Sequence, residues 1–189
     1  MQNRQNFRSA IVYLALGAVV AALYVILTYV SAALNLAYGP VQFRISEALT
    51  VLPVFTPAAV PGLALGCFIS NLASPLGIVD WVFGTAATLL AALGTAALGH
   101  IRYKGLPLLA PLPPVLVNAL VVGLELACLS SAGSFAWGNF SLAAFGAGAL
   151  SVGLGELVVC YALGLPLMIA LQRAGLANLL AQAGGRESF

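Results

Sequence analysis

Between Arg8 and Arg44 the chain carries no charged side chain, and similar uncharged runs separate Glu47 from Asp80, Lys104 from Glu125, and Glu156 from Arg173. Helices cut from such runs have nothing from which to build a water-facing side. They belong in lipid, where each backbone polar group must be satisfied internally and a span takes about 20 apolar residues. Composition agrees. Of 189 residues, 62% are hydrophobic and 6% charged, with a mean hydropathy of +1.07, whereas soluble domains are roughly half apolar and about a quarter charged. The sequence therefore reads as an all-α integral membrane protein.

Divided at that grain, it gives a single membrane domain (1–189) with six transmembrane helices within about residues 11–172. The spans are 11–34, 42–55, 58–73, 78–98, 108–129 and 142–171, with tails at 1–10 and 173–189. Pro53, Pro57 and Pro61 crowd the junction of the second and third helices, which are short, so a tight, kinked turn and partial spans are expected there. The first span is too long for a secretory signal, and no small-residue cleavage site follows a core of the right length.

Arg4 and Arg8 precede the first span, Arg102 and Lys104 lie between the fourth and fifth, and Arg173 and Arg186 follow the sixth. Six spans put all of these on one side, which the positive-inside rule makes the cytoplasm, with both termini inside. The opposite loops, at about 35–41, 74–77 and 130–141, hold no basic residue. A net charge of +2 without a basic run gives no footprint for nucleic acid. Cys67, Cys128 and Cys160 are odd in number and lie in apolar segments, which suits small core residues rather than disulfides or metal ligands.

Ionisable groups inside spans are costly and are candidates for function. In this topology they gather in the outer half. Arg44 and Glu47 open the second helix, Asn71 closes the third, Asp80 begins the fourth, Glu125 lies near the outer end of the fifth, and Asn118 sits deeper on nearly the same face as Glu125. Glu156 belongs to a stripe of Gly146, Ala149, Gly153, Glu156 and Cys160, spaced as a small-residue face for close packing or for lining a cavity. Simpler roles exist for some of these. Arg44 and Glu47, three apart, can neutralise each other near the membrane surface, Asp80 can be a solvated helix N-terminal residue, and the two asparagines can bridge helices. Glu125 and Glu156 have no basic residue in the last four spans to pair with.

Catalysis finds no support: HExxH, GxSxG and facing aspartates are absent, and His100 sits beside Arg102 and Lys104 as a solvated interface residue. A carboxylate-lined pocket with Tyr38, Phe43, Trp81, Phe83 and Trp137 nearby suits a flat heterocycle rich in donors, which stacks on rings while a carboxylate accepts two N–H groups side by side. Nothing in these residues specifies which heterocycle. In the first span, Ala18 and Ala22, and equally Gly17 and Ala21, form small-xxx-small pairs suited to close helix contact, within this chain or with another.

The runs VQFRISEALTVLPVFTPAAVPGLALGCFISNL, DWVFGTAATLLAAL and PPVLVNALVVGLEL resemble the QueT family, the substrate-binding (S) components of energy-coupling factor (ECF) transporters that import queuosine precursors. The likeness covers about residues 38–165. It implies a six-helix bundle in the bacterial cell membrane that captures a 7-deazaguanine such as preQ0, preQ1 or queuine from outside. Arg44 and Glu47 would stand at the mouth of the pocket. Asn71, Asp80, Trp81, Asn118, Glu125, Trp137 and Glu156 would complete it, a carboxylate reading the N1–H and 2-amino edge of the base. The implied partners are a coupling transmembrane subunit (EcfT-like) and two cytoplasmic ATPases. ATP is then used by those ATPases, and this chain needs neither a cofactor nor a Walker motif. Ala18 and Ala22 match the AxxxA pattern by which S components contact the coupling subunit. Other readings are an S component for another vitamin-like heterocycle, a stand-alone secondary transporter using its carboxylates as a proton relay, and a membrane enzyme or scaffold.

Overall fold

A computed structural model describes residues 2–37, 42–103, 105–130 and 134–183. Its elements are α1 (Gln2–Ala33), a 3₁₀ segment (Ile45–Val54), α2 (Ala59–Asn71), α3 (Ile78–Leu98), α4 (Leu112–Ala127), a 3₁₀ turn (Trp137–Asn139), α5 (Leu142–Val158), a π segment (Val159–Gly164), α6 (Leu165–Arg173) and α7 (Leu176–Ala183). Three helical stretches are long and apolar enough to cross a membrane: Ser9–Ala33, Ile78–Leu98 and Leu142–Arg173, the last running unbroken through α5, the π segment and α6. Three shorter apolar helices, Ile45–Val54, Ala59–Asn71 and Leu112–Ala127, pack among them. The protein is a multi-pass, all-helical membrane protein, and its outer surface carries exposed Leu14, Ile26, Leu90 and Leu150 as lipid would require.

The 3₁₀ segment is the middle of the molecule. Ser46 through Val54 are all buried, and Leu49, Val51, Leu52 and Val54 join Val20, Tyr24, Phe55, Leu63 and Met168 in the main apolar core. A helix apolar on every side is stable only when surrounded, and here α1, α3, the π segment and α6 surround it. The α-helix expected over 42–55 is thus corrected: residues 42–44 are not helical, Arg44 is extended (φ −89°, ψ 103°), and the ten residues that follow wind as 3₁₀ with Pro53 inside. Proline removes an α-type hydrogen bond, and the 3₁₀ form stretches ten residues to about 20 Å where an α-helix would give about 15 Å.

Other boundaries moved for local reasons. The helix expected over 108–129 starts at Leu112 and ends at Ala127. Residues 108–110 form a turn in which Ala110 N–H donates to Pro107 O at 3.0 Å, and three prolines, Pro111, Pro113 and Pro114, withhold donors just where the helix begins. The tail assigned to 173–189 contains α7, set off from α6 by Gly175 at φ +72°. Ala177 and Ala181 of α7 are buried, and the helix packs on α6 and α1. Pro166, near the start of α6, lies just after the π segment, whose wider winding accommodates the missing donor and the ring. Of the basic residues used for orientation, Lys104 and Arg186 lie outside the described residues.

The two small-residue pairs of α1 part company. Gly17 and Ala21 meet α2: a Cβ on Gly62 would fall 2.6 Å from the Gly17 carbonyl, and one on Gly66 would fall 2.8 Å from the Tyr24 Cβ and 2.9 Å from the Ala21 carbonyl. Ala18 and Ala22 remain exposed. On the far side, Gly123 of α4 seats Ala149 of α5, and a Cβ on Gly153 would lie 3.2 Å from the Ala119 Cβ. Ala149 and Gly153 of the α5 stripe are therefore spent on α4, whereas a Cβ on Gly146 would meet nothing within 4 Å. Gly66→Leu should lower the melting temperature of the detergent-purified protein sharply, at a cost of about 1–3 kcal/mol or more, because neither backbone can retreat. The double substitution Ala18→Leu with Ala22→Leu should leave the melting temperature of the same preparation unchanged.

Candidate functional site

Lipid-embedded helices can afford polar side chains only where they meet one another, and the polar residues of this chain do meet. Arg44, extended at the entrance to the 3₁₀ segment, sends Nη2 to 3.6 Å from Asp80 Oδ2 on α3, and Nη1 donates to Asn71 Oδ1 at 3.4 Å at the end of α2. Asn71 in turn donates from Nδ2 to the Asp80 main-chain carbonyl at 3.0 Å. Three elements are joined through the side chains of Arg44, Asn71 and Asp80. Room for them comes from Gly84, one turn beyond Asp80, where a Cβ would lie 2.5 Å from Asn71 Nδ2 and 2.7 Å from Asp80 Oδ1.

A second group gathers around Glu47 and Glu156. The Tyr24 hydroxyl of α1 donates to Glu47 Oε1. Asn118 Nδ2 of α4 donates to Glu156 Oε1 at 3.0 Å, and the Cys160 thiol is 3.5 Å from Glu156 Oε2 and 3.8 Å from the Glu47 carbonyl. Thr50 Oγ1 also donates to that carbonyl, at 2.6 Å. Glu125 stands alone. It is fully buried near the end of α4, close enough to Asp80 and Arg44 to interact with their charges, and neither of its oxygens has a hydrogen-bond partner. Glu47 Oε2, Asp80 Oδ2, Trp81 Nε1 and Thr85 Oγ1 are likewise buried without one.

Seven of the nine residues singled out as pocket-lining, Arg44, Glu47, Asn71, Asp80, Asn118, Glu125 and Glu156, are thus buried at 8% exposure or less. Trp81 is half-buried. Trp137 is not part of the buried centre, being 62% exposed; its ring packs edge-on to Phe135 and Phe83, with centroids 5.2 and 6.2 Å away. Tyr38 lies outside the described residues, and Phe43 is half-buried. Arg44 and Glu47 do act on each other's charge, and each has other partners as well, Asp80 and Asn71 for Arg44 and Tyr24 for Glu47. One simpler role is overturned: Asp80 is not solvated, at 1% exposure. Sequence reasoning passed over Tyr24, Thr28 and Ser31, although a tyrosine and two hydroxyls spaced four and three apart in an apolar helix mark one polar stripe. Thr28 Oγ1 donates to Ser46 Oγ at 2.8 Å and Ser31 Oγ accepts from the Ile45 N–H at 2.9 Å, tying α1 to the 3₁₀ segment. Among the described residues no group of three His, Cys, Asp or Glu side chains is placed to hold a metal ion.

The arrangement can do one thing well. It offers a ligand open acceptors, two of them side by side on Glu125, and a few open donors, all in a setting where hydrogen bonds to charged groups are strong.

Comparison with known proteins fits such a use. A family model described as "QueT transporter" matches residues 14–173. The chain is 42% identical over 73 residues to a protein of Lactococcus lactis subsp. cremoris (strain MG1363) named "Queuosine precursor transporter QueT", an alignment that covers 39% of this chain and 43% of that relative. No solved structure matches the chain.

The Arg44–Asp80 pair yields a sharp expectation. Arg44→Gln leaves a buried carboxylate uncompensated and should destabilise the protein by about 3–5 kcal/mol, whereas Arg44→Gln combined with Asp80→Asn should recover much of that loss. Thermal unfolding of the two single variants and the double variant in detergent measures the difference.

Proposed function

The chain belongs to the QueT transporter family, and from that premise we propose that it is the substrate-capture subunit of an ECF-type importer, binding a queuosine precursor of the 7-deazaguanine class. Glu125 carries the reading. A guanine-like ring presents N1–H and its 2-amino group side by side, and a carboxylate with both oxygens open is the matching acceptor pair. Asn71 and Arg44 stand near enough to Asp80 and Glu125 to receive the carbonyl side of such a ring. Trp81, half-buried with its Nε1 open, supplies a flat neighbour and a donor.

On this reading the protein sits in the bacterial cytoplasmic membrane with six spans and both termini inside, and the ligand enters from the outer side, where Arg44, Asp80 and Glu125 lie. The three short helices then act as spans only because neighbours bury them. Uptake is driven by ATP hydrolysed in two partner ATPases and transmitted through a coupling membrane subunit. Ala18 and Ala22 are the contact surface for that subunit. Their exposure, while Gly17 and Ala21 are consumed inside the chain, supports this choice between the two pairs.

The decisive measurement is equilibrium binding and uptake by the purified chain in liposomes. It should bind a 7-deazaguanine and accumulate none. Accumulation against a gradient without partner subunits would instead make it a stand-alone transporter. Glu125→Gln turns one acceptor into a donor facing a donor, so affinity should fall by roughly ten- to several-hundred-fold with the fold intact.

A further inference from the structure

A polar recess lies far from the buried carboxylates. Arg102, Gly105, Gln172, Ala177 and Asn178 line an open cavity of about 230 Å³, which has room for a phosphate-sized group and a few waters. Asp80 stands in the first turn of α3 and Arg102 follows its last residue, Leu98. The 21 residues of that helix span about 30 Å, the thickness of a bilayer's hydrocarbon core. The cavity and the candidate ligand site are therefore at opposite ends of a membrane-long helix.

Its walls are pinned to the bundle. Beyond Arg102, the main chains of Tyr103 and Leu106 exchange hydrogen bonds at 2.9 and 3.1 Å in a tight turn that contains Gly105 at φ +83°. The Ala110 carbonyl then accepts from Thr95 Oγ1 of α3 at 2.9 Å, and the Leu108 carbonyl from the Tyr161 hydroxyl of the π segment at 3.2 Å. The other wall is the corner between α6 and α7, where Gly175 turns the chain and buried Ala177 and Ala181 hold α7 in place.

The depth of the cavity selects its occupant. Arg102 comes four residues after the Ile78–Leu98 span ends (102 − 98), and Gln172 is next to the last residue of the Leu142–Arg173 span. Both stand where hydrocarbon gives way to headgroups. A guanidinium and two carboxamides bring N–H donors suited to phosphate oxygens, the guanidinium in bidentate fashion. No carboxylate lines the cavity: Glu47, Asp80, Glu125 and Glu156 are buried in the centre, and Glu187 lies outside the described residues. Ile101 and Tyr103 beside Arg102, and Leu176 and Leu179 beside Ala177 and Asn178, are exposed apolar residues. A soluble anion has no use for such a border, whereas a lipid lays its acyl chains along it.

We propose that this recess binds the headgroup phosphate of an anionic phospholipid, with Arg102 holding the phosphodiester and Gln172 and Asn178 completing the donor set. Basic pockets between membrane helices are suited to such headgroups. The site is independent of the 7-deazaguanine reading and requires only that the chain be embedded in a membrane.

The test is native mass spectrometry of the purified full chain, titrated in detergent with dioleoyl-phosphatidylglycerol or dioleoyl-phosphatidylcholine. Wild type should bind its first phosphatidylglycerol about tenfold or more tighter than its first phosphatidylcholine, in keeping with charge-assisted hydrogen bonding to phosphate. Arg102→Gln, and Asn178→Asp, which sets a negative charge in the cavity, should each weaken phosphatidylglycerol about five- to tenfold and leave phosphatidylcholine within about twofold. Arg173→Gln removes an exposed charge next to the cavity but outside its lining and should change either lipid by no more than about twofold. Equal binding of the two lipids by wild type overturns the proposal, and that comparison needs no variant to fold. Unchanged phosphatidylglycerol binding by Arg102→Gln overturns it, and so does an Arg173→Gln loss as large as that of Arg102→Gln, which would mean diffuse surface charge rather than a site. Displacement of phosphatidylglycerol by inorganic phosphate beyond that by chloride at equal ionic strength would mark a site for soluble anions and overturn the assignment to lipid.

Discussion

A guanidinium buried against a carboxylate in the low-dielectric interior is the constraint on which the rest of this bundle depends. Arg44 and Asp80 come from segments 36 residues apart in sequence (80 − 44) and are held 3.6 Å apart. Neither is tolerable there alone, since breaking a buried pair leaves an uncompensated charge. Satisfying Arg44 fixes where the 3₁₀ segment enters, and Asn71, bonded to both partners, fixes where α2 ends relative to α3. Gly84 is small for the same reason, because a methyl group at that position would collide with the Asn71 amide and the Asp80 carboxylate.

Two departures from α-helical winding face each other beside this pair. The 3₁₀ segment packs against the π segment of the last long helix, where a Cβ on Gly164 would lie 3.3 Å from the Ala48 carbonyl and 3.1 Å from a Val51 methyl. The π winding also sets Cys160 toward Glu156, the Glu47 carbonyl and Thr50. That carbonyl accepts from Thr50 and the Cys160 thiol, so side chains replace part of what a regular helix would have supplied. Irregular backbone at membrane depth is tolerated where protein encloses it, and here the enclosed irregularity is what brings Glu47 and Glu156 within reach of each other. Short π segments are found frequently at functional sites.

Much of this was legible in the residues, and the part that was not has a physical cause. The uncharged runs predict helices in lipid, and the span at 78–98 agrees residue for residue with α3. The cost of charge in an apolar helix is enough to single out Arg44, Glu47, Asp80, Glu125 and Glu156, all of which are buried. Pairing was another matter. A spacing of three suggests an ion pair only if the residues share an α-helix, and Arg44 lies outside any helix, so its partner comes from a distant segment. Tyr24 was hidden for the opposite reason: aromatic residues are ordinary in membrane helices, and its value to Glu47 depends on how α1 is rotated. Trp137 was credited to the buried centre because tryptophan suits ring stacking, but the turn at Trp137–Asn139 leaves it at the surface with Phe83 and Phe135.

The rotation of α1 joins the remaining pieces. Gly17, Ala21, Tyr24, Thr28 and Ser31 recur at intervals of four and three, which keeps them on one face of the helix. That face seats α2 at Gly62 and Gly66, donates to Glu47 and ties down the start of the 3₁₀ segment. Ala22 lies about 200 degrees around the helix from Tyr24 at about 100 degrees per residue, hence on nearly the opposite side. The glycines of the inner face let the backbones of α1 and α2 approach closely, so α1 cannot turn or shift along its axis without colliding with α2. A single rigid helix therefore presents two surfaces: an inner one that donates to Glu47, and an outer one of small exposed residues. A partner seated on the outer surface, as proposed, acts on the same rigid helix that holds Glu47 through Tyr24, about one helix diameter away.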